Sequence, residues 1–153
     1  MSQDVIQVIS AFAGAAGFAL VFNIRIKHLL LASVGGLLSW VIYLLVQTSV
    51  ENYFISCFVS SAFCAIYAEV MARIYKTPAT VFFIPAVVAL IPGGSLYYTM
   101  SYLIQGNSEL FGQYGRTTGL YAMGIACGIS LAWALWYMIQ KMITDIAKKI
   151  KEK

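Results

Sequence analysis

The stretch IPAVVALIPGGSLYY, residues 84–98, holds the residues best suited to binding chemistry. Pro92 has no amide hydrogen and cannot continue a regular helix without freeing a carbonyl about four residues earlier, near Val88. Gly93 and Gly94 let the backbone leave helical geometry and let another group come close. Proline is also favoured in the first turn of a helix, so Pro92 can end one half-helix and begin another, with the amides of Gly93, Gly94 and Ser95 facing the gap. Such a helix start carries about half a positive charge and suits a carboxylate. The hydroxyls of Ser95, Tyr97, Tyr98 and Thr99 follow directly. Tyr97 and Tyr98 cannot face the same way on a helix, so one of them is expected at the cavity. The competing reading is a proline kink that serves packing alone.

Glu69 is the only acid well inside an apolar block, and Arg73 follows one helical turn later. An acid at membrane depth suggests a proton site. The alternative is a structural i, i+4 ion pair with Arg73 near the membrane surface. His28 stands at a loop edge among basic residues, where a lipid headgroup is its expected contact. Asn23 is expected to cap the first helix. Cys57, Cys64 and Cys127 lack metal-ligand spacing and are expected to pack as small residues.

These residues must be positioned by membrane helices. The chain of 153 residues is 61% hydrophobic and 10% charged, and its mean hydropathy is +0.81. A water-soluble core is not built that way. Apolar blocks long enough to cross a hydrocarbon layer of about 30 Å predict an all-α integral membrane protein of five transmembrane helices. The spans fall at about 5–22, 29–46, 53–72, 79–104 and 117–140, in a single domain. The fourth is broken at Pro92-Gly93-Gly94 and crosses once. With the N-terminus outside, the first and third loops and the tail hold nine of the ten Lys and Arg residues, a positive-inside pattern. No basic region precedes the first apolar run, so that run is expected to remain as a membrane helix.

Small residues recur at helical spacing in four spans: Ser10 and Gly14, Ala13 and Gly17, Ala32 and Gly36, the series from Ser56 to Ala72, and Gly124 with Gly128. They predict closely packed helices in a compact bundle or an oligomer. Trp133, Trp136 and Tyr137 fit an interfacial belt. Beyond them, residues 141–153 form a basic amphipathic tail, with Ile139, Met142, Ile143, Ile146 and Ile150 on one stripe, suited to anionic lipid or to a partner.

The run AEVMARIYKTPATVFFIPAVVALIPGGSLYYTM resembles the signature of the threonine/serine exporter family, in its five-helix membrane half. FNIRIKHLLLASVGGLLSW resembles the family's first loop and second helix, and GLYAMGIACGISLA its last span. Two positions depart from the pattern. Ile24 and Arg25 stand where a proline often follows the "FN" pair, and Ala89 stands where a second proline often precedes Pro92.

The resemblance implies the split version of the exporter, in which a second membrane protein supplies the other half. It also implies export of serine and threonine or of a dicarboxylate such as succinate. Both substrate classes carry the carboxylate that the helix start would hold. The sequence thus predicts an inner-membrane subunit of a proton-coupled secondary transporter, with Pro92, Gly93, Gly94, Ser95 and Tyr97 or Tyr98 at the substrate. Glu69 and Arg73 are its proton-coupling candidates. The alternative is an assembly subunit whose broken helix shapes a partner interface. No paired carboxylates, nucleophile with base, metal cluster or phosphate loop suggests an enzyme, and no cofactor or nucleic-acid partner is expected.

Overall fold

The computed structural model describes residues 3–151, and the side chains of residues 3–145. Its regular structure is six helices: α1 (Gln3–Val21), α2 (Ile26–Val50), α3 (Tyr53–Tyr75), α4 (Thr80–Val88), α5 (Gly93–Ile104) and α6 (Ser108–Lys151). Short turns separate the first three, residues 22–25 and residues 51–52. Asn23 adopts the left-handed conformation (φ 53°), with its amide on the Leu20 carbonyl and the Ile24 amide on that of Ala19. This paired closure satisfies carbonyls that a helix end in lipid would otherwise strand. Asn52 caps α3, its side chain accepting from the amides of Phe54 and Ile55 at 3.0 and 3.4 Å. An Asn in that role is worth about 1 kcal/mol.

Packing depends on small residues, because lipid tails give apolar side chains no reason to leave the bilayer. In α2, a Cβ added at Gly36 would lie 2.5 Å from Ala15 Cβ, and one at Gly35 2.7 Å from the Tyr67 ring. In α6, a Cβ at Gly124 would lie 2.6 Å from the Phe54 carbonyl oxygen, and one at Gly128 would overlap Phe58 O and Ser61 Oγ. These contacts set the register. Gly124 lies against Phe54 and Gly128 against Phe58, so α6 runs parallel to α3. Buried serines close back on their own helices: Ser33, Ser39 and Ser60 each donate to the carbonyl four residues earlier at 2.7–2.8 Å. In α1, Ala15 and Ala19 are buried. Ser10, Ala13, Gly14 and Gly17 are exposed, so that stripe is not a closed helix seam, although Ser10 and Gly14 line a groove shared with Trp40, Val88 and Ala89.

The segment expected as the fourth span is two helices. α4 and α5 meet at 55°, joined by residues 89–92. By length and composition, α1, α2, α3 and α6 can each cross a bilayer, and the bent pair adds a fifth if it counts as one span. The structure moves the break. The unwound residues are Ala89 to Pro92, whereas Gly93 and Gly94 are already the first turn of α5, neither with a positive φ. Pro92 acts as the residue preceding the helix, and Pro85 lies inside α4 without interrupting it. α6 begins before the expected residue 117 and runs on as helix to Lys151, about 66 Å at 1.5 Å per residue, so it outreaches the membrane core. Of its apolar stripe, Ile139, Met142 and Ile143 are exposed. The side chains of Ile146, Ile150 and the last four lysines lie outside the described residues.

Candidate functional site

The break between α4 and α5 is anchored from below. Leu90 is 2% exposed and packs in one cluster with Tyr43 of α2 and Cys57 of α3, flanked by Trp40, Leu44, Tyr121 and Ile125. Burial of that one side chain holds the unwound turn inside the bundle. Beneath it lies an aromatic floor: Trp40 stacks on Tyr43 (4.9 Å), Tyr121 stacks on Tyr53 (5.1 Å), and the Tyr43 and Tyr121 hydroxyls hydrogen-bond at 2.7 Å.

A cavity of about 230 Å³ opens between this floor and the break. It is lined by Trp40, Tyr121 and residues 90–95. That is smaller than the roughly 300–1,000 Å³ of sites for drug-sized ligands, and suits a small metabolite. A Cβ at Gly93 or Gly94 would meet nothing within 4 Å, so the start of α5 presents bare backbone to open space. The Gly93 amide is occupied by the Ile91 carbonyl at 2.8 Å. Among the described residues, the amides of Gly94 and Ser95 have no acceptor, and the carbonyls of Ala89 and Leu90 have no donor. Free donors at a helix start thus sit beside free acceptors in the preceding turn.

The side chains fall differently from the sequence expectation. The Ser95 hydroxyl is bound to α6: it shares a 2.8 Å hydrogen bond with Thr118, which also meets Thr99 at 3.2 Å. Neither Tyr97 nor Tyr98 lines the cavity. Tyr97 is 68% exposed, and Tyr98 joins an aromatic cluster with Tyr102 and Tyr114. Tyr121 and Trp40 occupy the cavity wall instead. Their signal in the sequence is slight, since each is one aromatic among many in an apolar helix.

Glu69 and Arg73 lie away from this cavity. Glu69 is partly buried on α3. Arg73 places its guanidinium over Trp136 of α6, 5.1 Å from the ring centroid, with no ion pair to Glu69 among the described residues. A cation over an indole face is favourable by about 0.5–1 kcal/mol where exposed. Trp133 packs on Phe83 at 5.1 Å. Cys57 and Cys64 are buried, but Cys127 is exposed, contrary to the packing role expected of all three.

The profile of the family described as "Threonine/Serine exporter, ThrE" matches residues 7–135, which take in every helix that builds the cavity. The chain belongs to this family. It is a multi-pass membrane protein of the threonine/serine exporter type. Searches of curated proteins and of solved structures find no match. The family match spans α4, α5 and the part of α6 that packs on α5.

Proposed function

We propose that the protein is one half of an exporter of serine or threonine, and that the substrate binds at the break as a zwitterion. Its carboxylate lies on the amides of Gly94 and Ser95. Its ammonium lies on the carbonyls of Ala89 and Leu90. One observation carries this reading: the break leaves unpaired donors and unpaired acceptors within one turn of each other, beside a small cavity. Half-helix starts serve anionic groups, and unwound carbonyls serve cations, in transporters built on interrupted helices. A dicarboxylate such as succinate would set its second carboxylate against those carbonyls.

The wider reading has five spans, with α4 and α5 together crossing once. The parallel run of α3 and α6 supports it, because the chain must return to the end where α3 began before α6 can start. Arg25 and Lys76 line one pocket at the same end of the bundle, which supports a cytoplasmic position for both turns and an outside N-terminus in the inner membrane. Gly93 and Gly94 are exposed. A second membrane half that closes over them would complete the site. Glu69 is assigned the coupling proton, because it is the acid that stands well inside an apolar block, whereas Asp4, Glu109 and Asp145 stand at helix ends or in the tail.

The deciding experiment is efflux from cells expressing both halves, loaded in turn with serine, threonine and succinate. Serine and threonine are expected to leave and succinate to stay. Succinate efflux dependent on this chain would overturn the zwitterion assignment. Glu69→Gln is expected to flatten the pH dependence of efflux, and an unchanged pH profile removes the residue from coupling.

A further inference from the structure

A second cavity lies at the opposite end of α4, where the α1–α2 and α3–α4 turns meet. It measures about 360 Å³ and its wall includes Asn23, Arg25, His28, Lys76 and Thr77. No acidic residue lines it, while two permanent cations do. Backbone geometry holds the polar residues there: Asn23 and Lys76 are both left-handed, at φ 53° and 51°, each closing its helix. The His28 ring is held edge-on between Tyr75 and Phe82, at 5.4 and 5.6 Å. His28 Nδ1 and Thr77 Oγ1 are buried with no hydrogen-bond partner among the described residues. Two orphaned polar atoms beside two cations mark a place where the chain leaves polar capacity unused.

The same cavity continues into an apolar trough. A neighbouring groove of about 170 Å³ is lined by Phe22, Ile24, Thr80, Val81 and Ile84, and it shares Phe22, Ile24 and Val81 with the basic cavity. The trough lies between the end of α1 and the start of α4. A basic head joined to an apolar groove matches an amphiphile with a negative head. A free anion would need only the first part.

We infer that this is a site for one anionic phospholipid, its phosphate between Arg25 and Lys76 and an acyl chain along Ile24, Val81 and Ile84. Basic pockets between membrane helices bind such headgroups. The lipid would tie the α1–α2 turn to the start of α4, the half-helix whose far end carries the proposed transport site.

The test is native mass spectrometry of the purified, delipidated full chain, titrated with phosphatidylglycerol and with phosphatidylcholine of equal chain length. Phosphatidylglycerol is expected to bind more tightly. The Arg25→Gln/Lys76→Gln double variant is expected to lower its affinity about 25-fold, about five-fold per lost cation, with helix content unchanged. Val81→Asp, which leaves both cations in place but sets a negative charge where head and chain join, should weaken the same lipid. Equal binding of the two lipids overturns the proposal. So does an equal loss on Lys141→Gln, which would mean diffuse charge attraction. Displacement of phosphatidylglycerol by millimolar inorganic phosphate would reassign the cavity to a soluble anion.

Discussion

Two pairs of glycines in this protein meet opposite surroundings. Gly124 and Gly128 of α6 are pressed against the backbone of α3, with no room for a single methyl group. A side chain added at Gly93 or Gly94 of α5 would meet nothing within 4 Å. The first pair lets two helices approach within backbone contact, the main route to tight packing where lipid competes on equal terms for apolar side chains. The second pair gives no packing at all. Its smallness leaves backbone amides uncovered at the start of a half-helix. The same residue type therefore builds the scaffold in one place and clears a site in the other, and adding a side chain separates the two roles.

The largest effect is expected at the closed seam. Gly128→Leu must push α6 away from Phe58 and Ser61, and overpacking of this kind costs about 1–3 kcal/mol even where side chains rather than backbone give way. Against backbone it should exceed that range. The variant is expected to lose its folded monodisperse form on size-exclusion chromatography. A variant that purifies and melts like the wild type would show that the α3–α6 contact is looser than its geometry.

Gly94→Leu is the counterpart at the open pair. The side chain enters free space, so stability should fall by no more than the wild type's own scatter. Serine efflux should drop more than ten-fold, because the new side chain covers the Gly94 and Ser95 amides. Normal efflux from this variant would remove the break from substrate binding and favour the assembly reading of the broken helix.

Much of this contrast can be read from the sequence. The spans follow from apolar length, and the Gly124–Gly128 pair from its spacing. The break itself is announced by Pro92, because a missing amide and a fixed φ constrain any fold. Its exact place is not. Sequence reasoning sets the irregular backbone on the flexible glycines, whereas the structure sets it on Ala89 to Pro92. The reason is tertiary: burial of Leu90 against Tyr43 and Cys57 pulls the turn inward, and glycine is free to adopt helical angles when nothing demands others. Long-range pairing likewise hides Tyr121, whose place in the cavity wall depends on α6 returning beside α3, from where its hydroxyl reaches Tyr43 of α2. Arg73 illustrates the same limit. Its i, i+4 partner Glu69 is evident in the sequence, yet Trp136, 63 positions away, takes the guanidinium.

Ser95 refines the comparison, since it joins the open pair through its amide and the scaffold through its hydroxyl. Ser95→Ala removes the 2.8 Å bond to Thr118 and is expected to destabilise by about 1 kcal/mol, the usual net value of one hydrogen bond. Thr118 keeps its bond to the Tyr114 carbonyl at 2.8 Å, so no buried hydroxyl is stranded. The amide survives the substitution. Efflux should stay within about three-fold of wild type once expression is matched. A loss as deep as that of Gly94→Leu would mean that the hydroxyl itself meets substrate.

The smallest effect is expected at Tyr97. Its ring is 68% exposed and leans edge-on against Tyr98, 5.5 Å between centroids, without a hydrogen bond from its hydroxyl among the described residues. Tyr97→Phe should leave both melting temperature and efflux unchanged in cells that carry the second half. The outcome bears on the whole site because Tyr97 follows the open glycines by one turn on the same helix. If the substrate is held by backbone alone, a hydroxyl there has no task. If efflux falls while the isolated chain melts as before, the hydroxyl acts only in the assembled exporter, and the outer face of α5 is where the two halves meet.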